Sequence, residues 1–353
     1  MYNLKKYHKI SAKINNFRKE EIGFLPTKLH KLKNLSKKYG VNLYIKRDDL
    51  IGFSSFGGNK IRKLEYLFGE IIKKGAKYIF TYGATQSNHA MQTAIAARKY
   101  GLKPILYLVD VIGEDIDFPR ANMLLDEVLG AEIKIIEMKK GEEEFEAMYR
   151  AKEESKEYAK KISENNDDYY LIPPGGASPI GTLGFVEAYL ELKEQEFHKN
   201  INIGHLFHPT GTGGTLAGLT AANFYINDNL EIHGINVSHK DDSYLDETAK
   251  LANKSLELLD IDGRLKGEDI NVDNNYVGEG YEIPTKEANQ AIKEFAENEG
   301  IFFDTVYTGK AAAGLIDYLK NGKIAKGEDV LFWHTGGTTG LFAEPKLLGD
   351  LLR

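Results

Sequence analysis

HLFHPTGTGGTLAGL, residues 205–219, runs from an apolar strand through a loop of small and hydroxyl-bearing residues into a helix. Gly211, Gly213 and Gly214 let backbone N–H groups converge on an anion. The helix that begins at Thr215 adds unpaired amides and positive partial charge. Thr212 and Thr215 bring hydroxyls to the same place. The dinucleotide fingerprint is not matched, because Leu216 stands where it needs Gly or Ala. No basic residue interrupts the loop. It suits a small phosphate monoester held by backbone and hydroxyls, though alone it also fits a tight βα turn without a ligand.

The same grammar repeats along the chain. Strands are predicted over 42–48, 77–83, 104–110, 132–137, 169–175, 205–211, 231–238 and 329–337. Helices are predicted over 61–74, 88–100, 142–163, 181–197, 215–226, 243–259, 285–299 and 310–321. In the first helix Ile61, Leu64, Leu67, Phe68, Ile71 and Ile72 share one face and Gly75 supplies the stop. Strand-then-helix alternation means an α/β protein with parallel sheets and helices on both faces. In open sheets of this kind ligands bind beyond the carboxyl ends of the strands. Four small-residue loops fall there, YGATQSNHAMQ (82–92), PPGGASPIG (173–181), PTGTGGTLAG (209–218) and HTGGTTGLF (334–342), and they point to one composite site. Segment 114–130 is read as opening with a loop, and 260–284 as a long surface excursion.

Composition narrows the function. The 353 residues are 42% hydrophobic and 28% charged, enough for a substantial core. A net charge of −6 argues against nucleic acid as a partner. Without cysteine there are no disulfides, thiolate nucleophiles or Cys-based metal sites. The N-terminus lacks a signal-peptide core, and no segment nears the roughly 18 apolar residues of a membrane span. A cytoplasmic protein with no membrane association is expected. The nine histidines show no linear metal spacing. His205 and His208, three apart on one strand, face opposite sides, so no metal is assigned. A Gly-x-Ser-x-Gly elbow is also absent.

FGGNKIRKLEYL (56–67) places Lys60 where a helix begins. A P-loop is excluded, because Ile61 occupies the hydroxyl position and Gly57-Gly58-Asn59 breaks the spacing. A cation at a helix N-terminus is unfavourable, and that field lowers the amine's pKa, which favours a nucleophile. A solvated first-turn lysine is the plain alternative. Arg62, Lys63 and Glu65 read as ordinary surface charge. In ATQSNH (84–89), Ser87, Asn88 and His89 form either a helix cap or a carboxylate clamp.

Taken together these loops resemble the fold-type II pyridoxal-phosphate enzymes, and more closely the D-cysteine desulfhydrase and 1-aminocyclopropane-1-carboxylate deaminase family. The resemblance runs nearly end to end: LPTKLHKL (25–32), IKRDDLIGFSSFGGNKIRKLEYL (45–67), QSNHAMQTA (86–94), GTGGTLAGL (211–219), GEGYEIPTKEA (278–288), FDTVYTGKAAAGL (303–315) and FWHTGG (332–337) appear in order. It implies two open parallel-sheet α/β domains, tryptophan synthase β-like, with the cofactor in the interdomain cleft. The large domain would combine 1–62 with 172–353, and the small one would span 63–171. A homodimer is also implied.

By the same resemblance Lys60 holds pyridoxal 5′-phosphate covalently and moves the substrate's α-proton. Asn88 contacts the cofactor's 3′-oxygen, and Gly211, Thr212, Gly213, Gly214 and Thr215 bind its phosphate. Thr335 approaches the pyridine nitrogen. Ser87 serves as carboxylate ligand or second proton-transfer group. Gln86, Ser87, Asn88 and His89 face the small amino-acid substrate, and Tyr281 and Tyr307 flank it. In the deaminases the residue after the second tyrosine is a glutamate placed to protonate the pyridine nitrogen; here it is Thr308. A hydroxyl leaves a weaker electron sink, which favours β-elimination of a good leaving group. D-cysteine desulfuration to pyruvate, sulfide and ammonia is therefore the leading expectation. L-cysteate sulfo-lyase, L-cysteine desulfhydrase and the deaminase are alternatives, as are a β-replacement synthase and a non-catalytic phosphate-metabolite binder. Met91 and Glu282 depart from the family pattern and are read as lining the substrate pocket.

Overall fold

A computed structural model describes residues 2–164, 168–343 and 345–351. Ten strands are present among the described residues: β1 Leu29–Lys31, β2 Asn42–Arg47, β3 Tyr78–Ala84, β4 Lys103–Asp110, β5 Glu132–Glu137, β6 Tyr169–Leu171, β7 His205–Thr210, β8 Glu231–Asn236, β9 Val272–Asp273 and β10 Asp329–His334. They form a six-stranded sheet, β1-β2-β10-β7-β8-β9, and a four-stranded sheet, β5-β4-β3-β6. Every pairing is parallel except β1 with β2 at the outer edge. The proposed division of the chain, 1–62 with 172–353 against 63–171, leaves one sheet in each part.

Side-chain alternation explains the layers. In the larger sheet Tyr44, Leu206, Ile232, Leu331 and Trp333 face the helices Pro179–Lys199, Gly214–Ile226 and Tyr244–Leu258. Their neighbours Leu43, Ile45, Phe207, Ile235, Val330 and Phe332 face Lys33–Tyr39, Lys286–Glu299 and Thr308–Lys320. Burying each such side chain contributes about 1.5–3 kcal/mol, so both layers matter more than any single contact. In the smaller sheet Phe80, Tyr82, Tyr107 and Val109 pack on Glu144–Ile162. On the other face Ile79 meets Lys60–Lys74, and Leu106 and Leu108 meet Asn88–Lys99. No helix among the described residues is long and apolar enough to cross a membrane.

All eight predicted strands and all eight predicted helices are found, with ends shifted by a few residues. The short edges β1 and β9 and the helices Leu4–Ile14, Lys33–Tyr39, Ala121–Val128 and Pro345–Leu348 were not predicted. Segment 260–284 is more than a surface excursion. It contributes β9 to the sheet, and Leu265, Ile270, Val277 and Glu282 are buried. Its apolar residues are too widely spaced to show a period.

The reading of Arg62, Lys63 and Glu65 as surface charge is corrected outright, for all three are buried. Arg62 holds Asp48 through Nε at 2.8 Å and Nη2 at 2.9 Å, and Glu191 through Nη1 at 2.9 Å. Trp333 Nε1 donates to the same Asp48 at 2.8 Å, and Lys46 pairs with Glu191. Burial alone would raise the Glu191 carboxyl, but Arg62 and Lys46 outweigh it and hold its pKa near 2. Glu65 accepts the backbone N–H of Ile22 and Gly23 at 3.1 and 2.9 Å. These contacts lock the first turns of the Lys60 helix to the larger sheet.

Candidate active site

The carboxyl ends of β3, β7 and β10 meet the N-terminus of the Lys60 helix around a cavity of about 530 Å³. That lies within the range of small-molecule and cofactor sites. Lys60, Ser87, Asn88, His89, Gly211, Thr212, Gly213, Gly214, Thr215, Tyr281, Tyr307 and Thr335 all line it.

Lys60 is placed by an antiparallel bridge between Gly58 and Gly336 and by the Asn59 N–H, which donates to the Thr335 carbonyl at 2.9 Å. A Cβ at Gly58 would lie 2.4 Å from Gln92 Nε2 and 3.0 Å from the Thr335 oxygen, so glycine is what lets the two segments meet. The Lys60 amine donates to Asn59 Oδ1 at 3.2 Å and sits 6.0 Å from the Tyr307 ring centroid. Burial lowers its pKa to about 8, against an upward pull from Asp304. An amine so tuned carries a substantial unprotonated fraction near neutral pH.

Across from it the 211–215 loop forms an anion cradle. Gly213 caps the helix Gly214–Ile226 with φ +78°, a left-handed conformation that favours glycine, and the helix's first amides open on the cavity. A Cβ at Gly214 would come within 2.9 Å of Lys63 Nζ, and one at Gly175 within 2.4 Å of Thr212 Oγ1. Asn59 Nδ2 donates to Thr215 Oγ1 at 3.0 Å, joining the lysine turn to the cradle. Lys63 lines the same cavity, and its amine donates to the Gly175 carbonyl at 3.1 Å. Among the described residues no carboxylate pairs with it, and burial, then the Lys60 charge, push its pKa well below the ordinary lysine value. A buried amine beside a helix N-terminus, without a counter-charge, fits a phosphate there. The residues present thus suit pyridoxal phosphate: Lys60 for its aldehyde, the cradle and Lys63 for its phosphate.

The substrate side is built on the Asn88–Lys99 helix. Ser87 is its N-cap, accepting the Ala90 N–H at 3.2 Å, which leaves the hydroxyl proton available to a ligand. Capping and ligand binding are therefore compatible. Asn88 Oδ1 accepts from Asn122 Nδ2 at 2.9 Å, which fixes the amide. Thr81 Oγ1 holds His89 Nε2 at 2.9 Å, and burial pushes the His89 pKa well down, so its ring is neutral. Tyr281 and Tyr307 share a hydroxyl–hydroxyl hydrogen bond of 2.5 Å at the cavity.

Four residues sit elsewhere than the sequence implied. Gln86 lies outside this cavity; its Oε1 accepts the Asn122 N–H at 3.0 Å and its Nε2 meets Glu114 at 3.1 Å. It acts on the site through Asn122, which holds Asn88. Met91, four residues past the Ser87 cap, is buried in the helix and is not among the residues lining the cavity. Glu282 lines a separate small recess with Gln86 and Asp304. Thr308 donates its hydroxyl to Asp304 Oδ1 at 2.5 Å and is fully buried behind the wall, whereas Thr335 faces the cavity. Sequence reasoning missed Asn59, Lys63, Asn122 and Asp304 as parts of the site. Only Lys63 carried a signal: it lies one helical step from Lys60, and i, i+3 residues share a face.

Residues 21–336 match the family model described as pyridoxal-phosphate dependent enzyme. A putative 1-aminocyclopropane-1-carboxylate deaminase of Thermotoga maritima is 40% identical, over 93% of this chain and 99% of its own. A D-cysteine desulfhydrase of Klebsiella pneumoniae is 33% identical, over 94% of this chain and 97% of its own. A crystal structure titled as an ACC deaminase homologue superposes with a TM-score of 0.85 at 38% identity, covering 98% of this chain and 99% of the other. The lysine, the cradle and the relatives lead to one conclusion: the chain belongs to the pyridoxal-phosphate dependent enzymes of fold type II, in the group of 1-aminocyclopropane-1-carboxylate deaminases and D-cysteine desulfhydrases.

Proposed function

We propose that the enzyme catalyses α,β-elimination on a small amino acid, with D-cysteine the leading substrate and pyruvate, sulfide and ammonia the products, one water being consumed. The single observation that carries the reading is the pairing of Lys60, its pKa lowered to about 8, with the Tyr281–Tyr307 hydroxyl pair across one cavity. The bound cofactor supplies the electron sink that makes a substrate α-proton acidic. Lys60 takes that proton. The tyrosine pair, whose hydrogen-bonded hydroxyls stand at the cavity wall, donates a proton to the departing sulfur. The Ser87 hydroxyl and the helix N-terminus behind it hold the substrate carboxylate. Lys63 and the cradle hold the cofactor's phosphate.

Elimination is favoured over ring opening because Thr335, which lines the cavity, would meet the ring nitrogen with a hydroxyl and not a carboxylate. Asp304, the buried carboxylate behind it, is engaged by the N–H groups of Val306, Tyr307 and Thr308 and by the Thr308 hydroxyl. A second reading, the aminocyclopropane deaminase, is favoured by the names of the Thermotoga relative and of the superposed structure. L-cysteine and L-cysteate elimination belong to the first reading with another pose or leaving group. A homodimer is part of the proposal through the family resemblance, and a cytoplasmic location through the composition of the chain.

Keto acid and sulfide release should be measured with D-cysteine, L-cysteine, L-cysteate and 1-aminocyclopropane-1-carboxylate. Sulfide and pyruvate in equal amounts from D-cysteine are expected. Keto acid from the cyclopropane substrate alone would overturn elimination in favour of the deaminase. No keto acid from any of them, with no visible band of lysine-bound cofactor, would leave the phosphate-metabolite binder.

A further inference from the structure

β7 carries the phosphate cradle at its carboxyl end, and a second cluster stands where β7 and its neighbour β8 begin. Their parallel register sets His205 opposite Glu231 and Phe207 opposite His233. Residues two apart share a face, so Glu231 and His233 lie on one face and converge on His205, although 26 and 28 positions separate them from it in sequence. That is why linear spacing concealed them. His205 Nδ1 lies 3.1 Å from His233 Nε2 and 3.4 Å from Glu231 Oε2, and the last two atoms are 3.8 Å apart. Among the described residues these three offer ligand atoms within 4.8 Å of one another.

We propose that His205, His233 and Glu231 form a binding site for a divalent transition-metal cation of the zinc class, separate from the cofactor site. An ion with bonds of about 2.0–2.2 Å in tetrahedral geometry places its ligand atoms about 3.3–3.6 Å apart, and the observed triangle brackets that edge. Two imidazoles and one carboxylate suit zinc, with cobalt and nickel as substitutes, and disfavour magnesium or calcium. The chain has no cysteine, so no thiolate competes.

The outer contacts are those that metal-bound histidines use. The other ring nitrogen of His205, Nε2, meets Glu328 Oε2 at 3.1 Å. The other nitrogen of His233, Nδ1, meets the Asn271 side-chain amide at 3.2 Å. Turning that amide over sets its oxygen against an Nδ1–H and leaves Nε2 its lone pair for the ion. The His233 ring is fixed by stacking on Phe207, centroids 4.4 Å apart, and by the edge contact with Tyr318 at 5.3 Å. Glu231 is 65% exposed, which leaves an entry path and a fourth position for water. The ion would tie together the starts of β7 and β8 and, through Glu328, the residue before β10. Its role is structural, at the end of the sheet away from the chemistry.

The test is a Zn²⁺ titration by calorimetry of chelator-dialysed holoenzyme, with Co²⁺ as a second probe read by its ligand-field absorption. One equivalent bound with micromolar or tighter affinity is expected, with a higher thermal midpoint on saturation. His205→Gln and His233→Gln should weaken binding about 100-fold or more, and Glu328→Gln about 10–100-fold. Glu231→Gln alters an exposed residue and keeps the test valid if a histidine variant fails to fold; it too should weaken binding at least about 10-fold. Failure to bind one equivalent of Zn²⁺, or binding that survives Glu231→Gln and His233→Gln unchanged, overturns the site. Neither readout depends on turnover, so the result stands apart from the proposed reaction.

Discussion

Three cations share the first turn of one helix, the buried Arg62 and Lys63 and the part-buried Lys60, and they form two sets that are neutralised in opposite ways. Arg62, with Lys46 beside it, points into the larger sheet and is matched by Asp48 and Glu191. Lys60 and Lys63 point into the cavity, where their hydrogen-bond acceptors are the Asn59 amide oxygen and the Gly175 carbonyl. Burial without a counter-charge favours the neutral amine, and burial with one favours the ion pair. The paired set is a scaffold. The unpaired set is poised for reaction and for an anion. The helix period separates them, because residues 60 and 63 share a face that 62 does not.

Removing Lys60 should have the largest effect. Lys60→Ala should reduce turnover by about 10⁴-fold or more, the upper range for a general base, and abolish the visible band of lysine-bound cofactor. A variant that keeps both band and turnover sinks the catalytic assignment.

Breaking the paired set comes next. Arg62→Met leaves the Asp48 carboxylate and much of Glu191 buried without their partner, at a cost of about 3–5 kcal/mol. Urea unfolding of the apoenzyme should show it as a lower midpoint at unchanged slope. Lys63→Met in the unpaired set should do the reverse. It replaces an unmatched buried amine with a side chain of similar length, so apoenzyme stability should stay level or rise. Affinity for pyridoxal phosphate should fall, by about 10–100-fold for a lost charge-assisted hydrogen bond of about 1.5–3 kcal/mol. If both variants destabilise the apoenzyme equally, the distinction between scaffold and site fails.

How much of this was legible in the sequence follows from the same contrast. Strands such as β4 and β7 declare themselves by apolar runs, and the cradle by its glycines at a strand end. The roles proposed for Lys60, the cradle and the tyrosines come from motif order. What stayed hidden was burial of charge. Arg62, Lys63 and Glu65 look like solvent-facing residues because their partners, Asp48, Glu191, Gly175 and the Ile22–Gly23 amides, lie in segments remote in sequence. The Gln86–Asn122–Asn88 chain was hidden for the same reason, and Asp304, inside the 303–315 motif, drew no role of its own beside Tyr307. A sequence shows what a residue is, whereas these roles depend on what the fold brings beside it.

The smallest effect is in pH dependence, and it tests whether the cavity itself tunes Lys60. Only the unprotonated amine attacks an aldehyde. An ordinary lysine, near 10.5, would make cofactor capture by apoenzyme climb steadily from pH 7 past pH 10. Burial lowers the Lys60 pKa to about 8, with Asp304 drawing it partly back up. Folded Lys60 therefore sheds its proton first, and the capture rate should rise about tenfold per unit below pH 8, then level above it. The measurement is the rate at which the visible band appears when apoenzyme is mixed with pyridoxal phosphate across this range. Arg62 belongs to a pair that keeps its charge throughout, so it contributes no inflection here. A profile still climbing at pH 10 would mean that the cavity leaves Lys60 as solvated as a surface lysine. The contrast between the two sets would then lie in their partners alone and not in the field around them.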